Sequence, residues 1–239
     1  MIVSHQHRFI FFKPNKVGGT SVHVSLAARC APGDRVSRIS RHSRRRDDDL
    51  YCVEGHNAEG LRAHAEPRAI RELIGPDQWR DYTKITVVRN PWDLVVSSYY
   101  WEEWVRFHER SRTRTVRQRL RQWLRLRNPL GRSVRQDRTA FMNYLRALPE
   151  RYLNRPYYFD ASGQPLADVY LRFEHLQGDY DRLCLRVGLP CTRLPRLKTR
   201  CRPRNAAYPG YYNEQARALV AGLYQDQIDH FGYVFGENR

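Results

Sequence analysis

Acidic charge and lysine are both scarce in this chain. Asp and Glu number 25 against 42 Lys and Arg in 239 residues, a formal net charge of +17. Only Lys13, Lys16, Lys84 and Lys198 are lysines; the other cations are Arg. Such an excess attracts anions and speeds encounters with them. Where Lys persists, a compact charge on a flexible stem replaces a planar fork. Cysteine is sparse too. Cys30, Cys52, Cys184, Cys191 and Cys201 make an odd number with no C-x-x-C pair, which excludes a zinc ribbon and a disulfide framework. Reduced thiols in a cytoplasmic protein are expected. No apolar run approaches the roughly 20 residues of a membrane span. The Phe-Ile-Phe-Phe run at 9–12 is too short for the apolar core of a signal peptide. The chain also lacks internal repeats and linkers, so one domain covering 1–239 is expected.

Hydrophobic residues at 41% and aromatics at 12% are enough for a sizeable core. Residues 8–12 read as a buried strand. A turn-rich loop from Lys13 to Gly19 follows, then a helix from Thr20 to Arg29 with Thr20 or Ser21 at its N-cap. Residues 31–55 read as irregular. A helix over 67–74 is stopped by Gly75, and a short helical turn spans 77–82. A second buried strand at 84–88 ends in Arg89-Asn90-Pro91, and Pro91 opens a long helix to about Arg110. Strand, turn and helix thus occur twice, the pattern of a parallel α/β sheet. Residues 106–138 carry twelve Arg against Glu109 and Asp137, and read as a helical insertion. Another helix spans 139–148. Segments 157–160 and 168–172 flank a Gly-Pro turn, as a hairpin or two edge strands. An amphipathic helix over 176–187 stops at Gly188. A basic, Pro-rich loop covers 192–212. Asn213 caps a last helix whose apolar face runs from Ala216 to Ile228, and residues 233–235 form a terminal strand or tail.

Two segments carry chemistry. The first runs from Lys13 to Ser21. Its Gly18-Gly19 pair lets backbone approach a ligand closely, and successive N–H groups form an anion nest. The helix N-terminus that follows adds about half a positive charge. Lys16 supplies a mobile cation, while Thr20 and Ser21 supply hydroxyls. These groups suit a phosphate or a sulfate. The order is not that of a Walker A loop, because the Lys precedes the glycines. The second segment runs from Val87 to Tyr99, with Arg89 at the end of a buried strand, where α/β sheets face their ligands. Ser97 lies about two turns into the helix that Pro91 opens.

Together these segments resemble the sulfotransferase superfamily. Lys16, Val17, Gly18, Gly19, Thr20 and Ser21 are similar to its loop for the 5′-phosphosulfate of 3′-phosphoadenosine 5′-phosphosulfate. The pattern R-N-P-W-D-x-x-x-S, Arg89 to Ser97, is similar to its 3′-phosphate motif. The stretches 81–84, 170–176 and 231–235 resemble the bacterial carbohydrate-type (family 2) members. Val17 stands where Thr is commoner, and Asn15 precedes Lys16. The resemblance implies a P-loop-like three-layer α/β domain with a central parallel sheet and helices on both faces. It also implies sulfuryl transfer to a hydroxyl or amine acceptor, a carbohydrate, without a metal. Lys16 would stabilise the leaving phosphate. His56, in Glu54-Gly55-His56-Asn57, is the expected general base, with His23 and Glu54 as alternatives. His64, His108 and His175 read as structural or exposed. Lys198 and Arg200, or Arg202, in the late basic loop are expected at the nucleotide, with Tyr208, Tyr211 or Tyr212 on the adenine. Two other classes stay open: a P-loop kinase, which would need Walker order and a Mg²⁺-binding Asp, and a nucleic-acid or polyanion module using 106–138.

Overall fold

The computed structural model describes residues 1–39, 53–112, 134–198, 202 and 207–237. Its first elements in chain order are β1 (Ile2–Ser4), β2 (Phe9–Phe11), α1 (Gly19–Ala27), β3 (Arg35–Val36), α2 (Pro67–Ile74), α3 (Pro76–Asp81) and β4 (Thr83–Val88). Then follow α4 (Pro91–Arg112), α5 (Val134–Arg146), β5 (Val169–Arg172), α6 (Leu176–Arg186), α7 (Glu214–Leu223) and α8 (Gln225–Phe231). The chain divides into two compact units. One holds Met1–Asn90 and Asn154–Lys198; the other holds Pro91–Leu153 and Thr199–Glu237.

The first unit is mixed α/β. Among the described residues its sheet has five strands in the order β3-β1-β2-β4-β5. The apolar strand residues Ile2, Val3, Phe9, Ile10, Phe11, Ile85, Val87, Val88 and Leu171 are all buried. The expected all-parallel sheet is corrected. β2, β4 and β5 are parallel, with Phe9 opposite Thr83 and Ile85 opposite Val169. β1 runs antiparallel to both β2 and β3. The cause is the connection: four residues join β1 to β2, enough for a hairpin and far too few for a parallel crossover. Asp34 holds that hairpin. Its carboxylate accepts from Ser4 Oγ at 2.9 Å, His5 N at 2.7 Å and Ala31 N at 2.9 Å. Burial pushes this carboxyl up, but hydrogen bonds from Ala31, Gln6, Ser4 and His5 together outweigh it and hold the group below its ordinary range.

Three further readings change. The stretch read as irregular contains β3, extended by bridges from Val36 to His56 and from Ile39 to Val53. The expected hairpin around the Gly-Pro turn reduces to a Phe159–Pro165 bridge, and only β5 is a strand, because its main chain is taken by β4 in parallel. The N-cap of α1 is Gly18, in a left-handed conformation, and no side chain caps it.

The second unit is helical, built from α4, α5, α7 and α8. Its core is aromatic: Phe141 meets Tyr99 edge-on at 5.6 Å and Tyr212 at 5.1 Å, and Phe235 meets Trp92 at 5.5 Å. Burying each such ring contributes roughly 1.5–3 kcal/mol. The tail at 233–235 is no strand; Phe235 instead packs on Trp92, Tyr208 and Tyr212. Most of the Arg-rich insertion at 106–138 lies outside the described residues.

Candidate functional site

The turn between β2 and α1 is built by left-handed backbone at Lys16 (φ 62°) and Gly18 (φ 80°). The Gly18 carbonyl accepts from Ser21 N at 3.1 Å and starts the helix. Gly19 and Thr20 open α1, so their N–H groups have no intrahelical carbonyl. Both glycines are needed for close approach. A Cβ on Gly18 would lie 2.7 Å from the Phe173 ring, and one on Gly19 would lie 2.8 Å from Lys13 Cβ. Val17 and Ser21 are buried, whereas Lys16 and Thr20 are half-buried. The result is a helix N-terminus with Lys16 beside it, suited to an anionic group.

β4 delivers Arg89 to this turn. Its Nη1 donates to the Lys16 carbonyl at 2.8 Å, and its guanidinium carbon sits 3.9 Å from the centroid of the Phe173 ring. The structure therefore brings Arg89 and the Lys16 segment together. Ser97 lies half-buried in α4, in the second unit. The next residue along β4, Asn90, donates its backbone N–H to Glu174 Oε1 at 2.7 Å, which ties the end of β4 to the turn after β5.

Asn154 also belongs to the loop, and the sequence reading passed over it. Its Oδ1 accepts from Asn15 N at 3.1 Å, and its Nδ2 donates to Asn15 O at 3.0 Å. Asn154 is buried with φ 57°, a conformation that Asn tolerates better than most residues. An Asn ahead of Arg155-Pro156 was the available signal, but nothing in the sequence pairs it with Asn15. Lys198 is exposed, in left-handed backbone, and its charge reaches Lys13. Arg200 lies outside the described residues. Arg202 is held by Asp93 Oδ1 in the second unit. Tyr208 and Tyr212 are core residues there: Tyr208 OH accepts from Gly236 N at 2.7 Å, and Tyr212 OH donates to Trp92 O at 2.8 Å. Their expected place on an adenine is thereby corrected. Tyr211 pairs through its hydroxyl with Tyr100.

Of the candidate bases, His56 is fixed by its main chain. Its N–H donates to Val36 O at 3.0 Å, and its carbonyl accepts from Val36 N at 2.9 Å. Its Nε2 is buried with no hydrogen-bond partner. Gly55 permits this pairing, because a Cβ there would meet Val36 O at 2.7 Å. His23 is sealed in the core, with Nδ1 3.0 Å from the Met1 amine and its ring edge-on to Phe11. Burial, then the amine charge, pushes its pKa far down. No acceptor can reach it there, which removes it as a base. Glu54 is exposed. His64 has a structural contact, its Nδ1 donating to the Lys13 carbonyl at 3.0 Å.

A cavity of about 660 Å³ lies elsewhere in the first unit, between α2, α3 and the 156–166 segment, and no predicted site residue lines it. Among the described residues no group of three or more His, Cys, Asp or Glu is placed to hold a metal ion. Among them, too, no helix is long and apolar enough to cross a membrane. No protein-family model, curated protein or solved structure matches the chain.

Proposed function

We propose that this chain is a cytoplasmic sulfotransferase with a P-loop-like three-layer domain. It moves the sulfuryl group of 3′-phosphoadenosine 5′-phosphosulfate to a hydroxyl or amine, on a carbohydrate acceptor. The observation that carries the reading is the coupling of Arg89, at the end of β4, to the Lys16 carbonyl in the glycine turn that opens α1. Two anion-binding elements from adjacent parallel strands thus lie side by side, as a nucleotide with phosphates at both its 5′ and 3′ positions requires.

The chemistry breaks the bond from sulfur to the bridging oxygen of the 5′-phosphate and forms one from sulfur to the acceptor oxygen or nitrogen. Charge grows on the leaving oxygen, by analogy with phosphoryl transfer. Lys16 and the N–H groups of Gly19 and Thr20 stabilise that charge, and they need no reorganisation to do so. The acceptor proton goes to His56, which is half-buried where His23 is fully enclosed. Arg89 binds the 3′-phosphate, and Lys198, whose charge reaches Lys13, adds to the positive potential at the loop.

Calorimetric titration separates this reading from a kinase. Adenosine 3′,5′-bisphosphate should bind at least tenfold tighter than ATP, and Arg89→Met should remove most of that difference. Equal affinity for the two, or tighter ATP binding, would overturn the proposal.

A further inference from the structure

Lys13 stands apart from the other lysines. It is 2% exposed, on a residue type almost never enclosed without a partner. Among the described residues its ammonium has no hydrogen-bond acceptor and no carboxylate. Its stem is pressed onto the first residue of α1: a Cβ on Gly19 would lie 2.8 Å from Lys13 Cβ and 3.5 Å from its Cδ. The stem thus lies against the first turn of that helix, where N–H groups have no intrahelical acceptor. An unpaired cation out of water is strongly disfavoured. Loss of its proton or a bound anion would relieve that cost.

We propose that Lys13 is a second anion-binding cation of this turn, positioned to meet a phosphoryl group seated on the Gly19 and Thr20 amides. The proposal rests on the nucleotide reading of the loop and extends it, because that reading assigns the anion to Lys16. It also makes binding sensitive to pH. Burial, then the charge of Lys198, pushes the Lys13 pKa down to about 7. The groups facing it are Lys198 after α6, His64 before α2, the Met1 amine on β1 and His23 on α1, and none is an acid. At pH 8 the free protein therefore holds Lys13 mostly neutral. A bound anion favours the charged form, so binding takes up a proton. Affinity should fall as pH rises above about 7.

The test is calorimetry of adenosine 3′,5′-bisphosphate at pH 8 in buffers of different ionisation enthalpy, where the phosphates have already lost their last protons. The wild-type chain should take up a substantial fraction of one proton. Lys13→Met should lose that uptake and bind about 10–100-fold more weakly at pH 7, the loss of one charged contact. Lys16→Ala should weaken binding while keeping the uptake. Lys13→Met should also raise the thermal midpoint of the free protein, because it removes a buried charge; this doubles as the check that the variant folds. Lys13→Gln, of similar length and uncharged, should repeat the loss of uptake. Uptake that survives both Lys13 substitutions, or an affinity within twofold of wild type, would overturn the proposal while leaving the sulfotransferase reading intact. ATP binding as tightly as the bisphosphate, with uptake still dependent on Lys13, would sink the sulfotransferase reading and support Lys13. Failure of both nucleotides to bind would overturn both.

Discussion

Lys16 holds a left-handed backbone at φ 62°, which a residue with a side chain adopts at a cost of roughly 1 kcal/mol. Local strain of this kind, at a position whose cation is proposed to act in the transfer, gives a sharp expectation. Lys16→Gly should leave stability unchanged or raise it by up to about 1 kcal/mol. The same change should lower the rate of sulfuryl transfer about 10²–10³-fold, as losing a preorganised charge-stabilising group does. Urea denaturation and a single-turnover assay read the two effects separately, and a retained rate would remove Lys16 from the chemistry. His56 makes its own prediction. His56→Ala should slow transfer about 10²–10⁴-fold with little change in nucleotide affinity, and His56→Gln, which cannot take the proton, should be nearly as slow. If either variant keeps most of its rate, the base lies elsewhere, with Glu54 next in line.

At the scale of elements, caps and turns were partly legible in the sequence. Asn213 was read as a cap and is one: its Oδ1 accepts from Ala216 N at 2.8 Å at the start of α7. Asn213→Ala should cost about 1 kcal/mol, and Asn213→Gly only a few tenths, measured by chemical denaturation. Equal losses would mean that the side-chain bond is not what matters. Gly75 and Gly188 were read as stops, and both sit in positive-φ backbone just past α2 and α6. The last helix was read as continuous to Ile228, yet it breaks at Tyr224. Tyr224 is buried and its hydroxyl donates to Tyr152 O at 2.9 Å. That contact spans 72 residues of sequence, so periodicity alone could not reveal it. The start of α1 was misjudged for a related reason. Hydroxyl residues at 20 and 21 suggested a side-chain cap, but the close approach of Phe173 reserves the cap for Gly18.

For the molecule as a whole, the acid limb of stability follows from His23. This imidazole is fully buried, and burial pushes its pKa far below the ordinary 6.5. The folded state therefore keeps it neutral, while the unfolded chain binds a proton below about pH 6.5. The unfolded state holds more protons in that range, so stability must fall as pH drops. The fall attributable to one such group approaches about 1.4 kcal/mol per pH unit. Urea midpoints measured between pH 7 and 5 should show it, and His23→Gln should flatten the slope. A slope unchanged in that variant would place the proton uptake on other groups.

The sequence by itself determined what depends on neighbours along the chain. The glycine turn, the buried strands at 9–11 and 83–88, the helix that Pro91 opens and the lopsided charge all follow from local composition and periodicity. Tertiary structure alone decided what depends on distant partners. It set the antiparallel β1–β2 pairing within an otherwise parallel sheet. It seated Asn154 on Asn15 across 139 residues and Arg89 on Lys16 across 73. It also enclosed Lys13, which the sequence shows only as one of four lysines, at the start of the glycine loop. Burial is set by packing in three dimensions, so no pattern along the chain records it.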